Sequence, residues 1–106
     1  MRVLNTAELT KAGKKNVPLR NALADWLEIT ESAAWETIQD VRQTFKTADG
    51  VPVRVAGLGV VVATVFNIKG NEFRLIAAID FVSGVVVVKE VLTHAEYSKD
   101  AWKGRL

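Results

Sequence analysis

The sequence predicts an α+β fold: N-terminal helices packed on one face of an antiparallel sheet, with a short helix near the C-terminal end. Three observations predict it. Apolar residues recur at helical spacing through the first half of the chain. Beyond it, runs rich in valine and isoleucine are separated by glycine-containing turns. Two tetrads, TIQD at 37–40 and THAE at 93–96, have the spacing of a helix capping box and bracket those runs.

The elements follow in order. MRVLN is short and partly β-branched and predicts a first strand. Thr6 is placed to cap a helix over about residues 7–15. Asn16 to Pro18 opens the next helix, in which Leu19, Ala22, Leu23, Trp26 and Leu27 share one face and predict core rather than binding surface. Thr37 caps a third, short helix with Val41 and Phe45 inward and Trp35 packed as a staple at its start. Asp49-Gly50 and Val51-Pro52 read as turns.

VVVATVFN, EFRLIAAIDF and VVVVKEVLT then read as three strands, joined at Lys69-Gly70 and Ser83-Gly84. Connections this tight make neighbours antiparallel. In the second strand Phe73, Leu75, Ala77 and Ile79 share the face assigned to the helices. Arg74, Ile76, Ala78 and Asp80 share the other, which leaves Arg74 on the more open side. In the third strand Lys89 and Glu90 point opposite ways, and periodicity does not decide which enters a cleft. After it, Thr93 and Glu96 predict a short helix that carries both Tyr97 and Trp102, with His94 as its first residue.

Composition narrows the chemistry. The 106 residues suit one domain, residues 1–106, with 49% apolar and 25% charged residues. A net charge of +2, spread without single-sign runs, means that any basic site is assembled by folding. The absence of cysteine excludes disulfides and thiolate chemistry and fits a reducing cytoplasm. One histidine and no cysteine make a zinc site a poor fit. Neither a P-loop nor a nucleophile elbow occurs. The opening MRVLNTAELTKAGKK is expected not to be a secretory leader, and the apolar run from Leu58 to Phe66 is too short for a bilayer-spanning helix.

The stretch FNIKGNEFR, residues 66–74, stands out because a hydrophobic hairpin has little need of two amides and two cations at its bend. Asn67 and Asn71 beside Gly70 also suit a plain turn, and Arg74 also suits an ion pair with Asp80 or Glu72. His94 is the one side chain whose ordinary proton exchange spans neutral pH, and Tyr97 falls three residues on, on nearly the same helix face. Lys69, Arg74, the amides, His94 and Tyr97 suit phosphodiester cleavage in RNA without a metal or other cofactor. They equally suit phosphate binding without chemistry.

FNIKGNEFRL followed by THAEY resembles the HigB family of bacterial toxins. The matching residues are Phe66, Asn67, Gly70, Asn71, Phe73, Arg74, Thr93, His94 and Tyr97. MRVL, the tryptophan-containing helix and the spacing of Val41 to Phe45 extend the likeness over nearly the whole chain. The departure is Thr47 to Val62, which is longer and more apolar than the family pattern and leaves Arg54 without an assigned role.

The resemblance implies a RelE-like fold and a metal-independent endoribonuclease that cleaves mRNA, in many relatives on the translating ribosome. It implies a helix-turn-helix antitoxin of the HigA type as partner, and no membrane. Joined with the reading of the residues above, it gives proton transfer to His94, phosphate contact to Arg74 and, from that reading, Lys69, and base stacking or proton transfer to Tyr97. Asn67, Gly70 and Asn71 become an RNA-facing edge, and Lys89, Lys99, Lys103 and Arg105 become contacts to RNA backbone or ribosomal RNA. The readings left beside it are a non-catalytic RNA- or ribosome-binding module and a protein-interaction domain.

Overall fold

The computed structural model describes residues 1–106. It contains a five-stranded sheet in the order β1-β5-β4-β3-β2. β1 is Arg2–Leu4, followed by α1 (Ala7–Gly13), α2 (Val17–Ser32) and α3 (Ile38–Thr44). β2 (Asp49–Val55), β3 (Gly59–Ile68), β4 (Phe73–Asp80) and β5 (Val85–Thr93) then form an antiparallel meander. β1 lies parallel to β5 at one edge. α4 (His94–Ser98) and a 3-10 turn (Ala101–Arg105) end the chain. No helix is long and apolar enough to cross a membrane.

The helix starts are decided locally. Asn16 takes an extended backbone and its side chain accepts the Leu19 N–H, while Pro18 sits where its missing donor costs nothing. Thr37 and Asp40 form the predicted capping box of α3. Thr6 precedes α1 as expected but makes no side-chain cap, because its own backbone is already helical.

The three N-terminal helices cover one face of the sheet. Leu19, Leu23 and Trp26 of α2 and Val41 of α3 meet Phe66, Leu75, Ala77, Val86 and Val88 there. Phe66 is the centre, with Trp26 and Phe45 edge-on at 5.3 Å and Trp35 stacked at 6.3 Å. Such aromatic pairs add roughly 0.5–1.5 kcal/mol each beyond their buried area. Trp35 also donates its indole N–H to the Thr44 hydroxyl, so it closes the far end of α3 as well as its start.

Four expectations are corrected. Asp49-Gly50 and Val51-Pro52 are not turns but the edge strand β2, paired with β3 from Asp49 opposite Val65 to Val55 opposite Gly59. Proline is tolerated there because an edge strand needs ladder bonds on one side only. The segment Thr47 to Val62 is thus a long β-hairpin. Second, the sheet is covered on both faces. Val53, Ala63, Val65, Ile76 and Leu92 form a second core against Trp102. Third, Tyr97 and Trp102 do not share a helix: Asp100, with φ +61°, breaks the chain after α4 and turns Trp102 back onto the sheet. Fourth, Lys89 and Glu90 do not point opposite ways. A bulge sets Ala77 opposite Val88 and Ile76 opposite Glu90, with Lys89 as the extra residue. Lys89 then borders a groove on the face that carries Trp102, and Glu90 accepts from Arg105 on that face.

Candidate active site around Arg74 and His94

Arg74 lies in β4, opposite Asn67 of β3 and Leu92 of β5. It is on the face predicted for it, yet only 7% exposed, because α4 folds over that side. Its Nη1 donates to the carbonyl oxygens of Asn71 and Phe73, each at 3.1 Å. Its Nη2 donates to Asn71 Oδ1 at 2.6 Å and lies 3.0 Å from His94 Nδ1. The guanidinium carbon sits 5.7 Å from the centre of the Tyr97 ring. Neither Asp80 nor Glu72 pairs with it, and no carboxylate approaches within 4.0 Å.

A buried charge without a counter-ion is uncommon, since desolvation is costly unless an opposite charge compensates. Neutral acceptors hold this guanidinium in place but leave its charge unbalanced. That arrangement suits an anion arriving from outside. Arginine offers two parallel donors to a phosphate.

The contact also fixes the proton on His94. A guanidinium only donates. Nδ1 must therefore accept, and the ring proton sits on Nε2. His94 is exposed and held at the first position of α4 by the capping box of Thr93 and Glu96. The Thr93 N–H donates to Glu96 Oε1 at 2.9 Å, and the Glu96 N–H donates to Thr93 Oγ1 at 3.1 Å. The His94 N–H donates to the Glu72 carbonyl at 2.9 Å. This ties the start of α4 to the β3–β4 turn, so the two motifs of the sequence meet through backbone as well as side chain.

Tyr97 stacks on Trp102, with ring centres 5.4 Å apart, and its carbonyl accepts the Trp102 indole N–H at 3.1 Å. Burial pushes the Tyr97 phenol up from its ordinary value, and the Asp49 carboxylate adds to this against the opposing Arg74 charge. Tyr97 therefore reaches neutral pH as a hydrogen-bond donor rather than a phenolate.

The other predicted residues are distributed unevenly. Asn67 shares a face with Arg74 and is half-buried. Gly70, at φ +65°, has open space where a Cβ would stand, so it brings bare backbone to the surface of the turn. Lys69 is on that turn but engages Glu72 at 3.0 Å rather than joining Arg74. Lys89 is exposed at the bulge and Lys99 at the end of α4, both outside the cluster. Lys103 pairs with Asp100 and Arg105 with Glu90. Sequence reasoning did not anticipate the carbonyls of Asn71 and Phe73 as anchors of Arg74. No residue type signals a backbone acceptor. The sequence places Trp102 in the same helix as Tyr97, and its part as the platform under Tyr97 appears only once the chain reverses at Asp100.

Residues 19–100 match the HigB toxin family model, described as the RelE-like toxic component of a toxin–antitoxin system. No curated protein matches the chain. The matched span contains Arg74, His94 and Tyr97 and ends before Trp102.

Proposed function

Because the chain belongs to the HigB toxin family, the RelE-like toxic component of a toxin–antitoxin system, we propose that it is an endoribonuclease that cleaves mRNA without a metal. The observation that carries this reading is the buried, carboxylate-free Arg74 in contact with His94.

The scissile phosphate takes Arg74. Both protons of Nη1 and both of Nη2 are engaged in the resting chain. A phosphate that binds through Nη2 therefore displaces an existing partner, and the nearest exchangeable one is the His94 ring. Release frees Nδ1, so the imidazole is able to accept a proton at that nitrogen while Nε2 keeps its own. Substrate arrival and proton readiness are thereby coupled.

The reaction is internal transfer. The ribose 2′-oxygen loses its proton to a base and attacks phosphorus. The bond to the 5′-oxygen of the next nucleotide breaks, and an acid protonates that oxygen. The products carry a 2′,3′-cyclic phosphate and a 5′-hydroxyl. His94 moves one of these protons, and the Tyr97 phenol, on the same short helix, supplies or takes the other. Arg74 stabilises the extra negative charge of the phosphorane. Lys69 adds a second charge once it leaves Glu72. Asn71 keeps Arg74 aimed, and Gly70 lets backbone approach the RNA. Asn67, Lys89 and Lys99 contact RNA beyond the scissile bond. The chain acts in the cytoplasm, on mRNA in the translating ribosome, and is neutralised by a helix-turn-helix antitoxin of the HigA type.

The test is cleavage by the purified chain of free mRNA and of mRNA under translation, with the cut ends mapped and His94→Ala run beside it. Cuts only during translation, lost in the variant, support the full reading. Cuts on both substrates retain the nuclease and remove the ribosome. A folded, antitoxin-free protein that binds RNA and returns it uncut would sink the catalytic reading.

A further inference from the structure

The ladder between β3 and β4 runs from Ile68 opposite Phe73 to Thr64 opposite Ala77 and stops there. β3 nevertheless reaches back to Gly59, and β4 continues to Asp80. Over those lengths β3 pairs only with β2, and β4 only with β5. The sheet forks, leaving one edge of residues 60–63 and one edge of residues 78–80 without a neighbouring strand.

The fork is an apolar groove. Consecutive residues line it from both strands: Val61, Val62 and Ala63 from β3, Ala77 and Ala78 from β4. A pocket on a sheet face meets alternate residues, whereas a gap between strands meets consecutive ones. Leu58 at the hairpin tip is 74% exposed, and Val60 and Val62 along the free edge are each 59% exposed. A long apolar strand edge left uncovered is a liability that proteins ordinarily blunt with charge, proline or a partner. Here basic side chains stand beside the groove. Lys89 borders it, and Arg54 and Lys103 border the adjoining pocket that shares Val55 and Leu106. No Asp or Glu side chain lines either one.

We propose that this fork is where the antitoxin docks, through an extended segment that pairs with the free edge of β3 and alternates apolar residues with carboxylates. Main-chain hydrogen bonds supply the affinity of such strand addition, and the side-chain pattern supplies its specificity. The valines and alanines take the apolar positions, and Lys89 and Arg54, which have no ion-pair partner in the chain, take the carboxylates. RNA suits the groove less well, since its lining is almost entirely aliphatic. The inference rests on the toxin assignment, which supplies the partner, and not on the nuclease chemistry.

The test combines amide hydrogen exchange with titration of the full chain by its purified antitoxin. Amides of residues 60–63 and 78–80 that face the fork exchange rapidly in the free chain and become protected in the complex. Leu58→Lys and Ala78→Arg each weaken antitoxin binding about tenfold or more, while Val82→Lys, fully exposed on the β4–β5 turn, leaves it unchanged. Leu58 is exposed enough for its variant to fold even where the more enclosed Ala78 variant does not. A tight complex without protection at these amides overturns the proposal, as does wild-type affinity in both variants. Loss of RNA binding with antitoxin affinity intact reassigns the groove to RNA. A wild-type dimer that Leu58→Lys converts to monomer, seen by light scattering, reassigns it to a second copy. RNA cleavage is measured in parallel: a chain that docks as described but never cuts RNA removes the nuclease reading and leaves this one standing.

Discussion

Nη2 of Arg74 stands 3.0 Å from Nδ1 of His94, residues that are 20 positions apart in sequence. Under the proposed mechanism, Arg74→Ala and His94→Ala each lower RNA cleavage by about 10²-fold or more. Arg74→Lys fares little better, because one ammonium cannot reproduce the planar fork that reaches Asn71 and His94 together. Arg74→Ala also lowers the unfolding midpoint, since the Asn71 and Phe73 carbonyls lose a partly buried donor. Parental cleavage rates in folded variants would remove both residues from the site.

Trp102 is fully buried beneath Tyr97. Trp102→Ala is expected to cost about 3–5 kcal/mol in denaturant unfolding. Trp102→Phe keeps a ring but loses the bond to the Tyr97 carbonyl, at a cost nearer 1 kcal/mol from that bond. A Trp102→Ala protein as stable as the parent would mean that the C-terminal turn does not hold the second core together.

The Tyr97 phenol is raised above its ordinary value of 10.0, first by burial. A raised folded value contributes stability that is fully present below pH 10.0 and is lost as pH climbs through the folded value. Ultraviolet titration of the native chain should place the tyrosinate transition above 10.0. Tyr97→Phe should remove it while keeping the stack on Trp102. A native transition at or below the ordinary value contradicts the buried geometry.

Glu96 is held below its ordinary value of 4.5, chiefly by the Thr93 N–H. A depressed folded value contributes stability that is present above pH 4.5 and is lost as pH falls through the lowered value. Acid titration followed by NMR should therefore show α4 loosening in that range. Glu96→Gln keeps a cap acceptor and should flatten this dependence. Thr93→Ala should lower stability by about 1 kcal/mol at any pH. It should slow cleavage as well, because the cap sets where His94 stands.

Lys69 is bound to Glu72 at 3.0 Å, and both side chains are substantially exposed. Pairs of this kind contribute about 0–1 kcal/mol to stability, so Glu72→Gln should leave the melting temperature nearly unchanged. If Lys69 moves to the RNA phosphate, the same substitution should tighten RNA binding at low salt. The gain should vanish in the Lys69→Gln background. Equal affinity with and without Glu72 would leave Lys69 as a turn residue.

Several site residues were legible before folding because their signals are local. Thr93-x-x-Glu96 fixes the start of α4 and hence the place of His94. Alternation along β4 puts Leu75 and Ile76 on opposite faces, as the two cores confirm, and Arg74 on the side of Ile76. Other features were not legible. The environment of Arg74 depends on α4 folding across the sheet and on two carbonyls that any residue could have supplied. β2 was hidden by its composition, since Asp-Gly and Val-Pro favour turns unless an unoccupied sheet edge is available.

The sequence by itself determined the helix starts, the strand alternation and the family motifs, because each depends on residues within one or two turns of chain. Only the tertiary structure decided that Arg74 is buried without a counter-ion, that Asp100 sends Trp102 back to support Tyr97, and that β3 and β4 part after Thr64. Those features depend on which surfaces meet. Burial, charge balance and strand pairing belong to pairs of segments, and no single segment carries them.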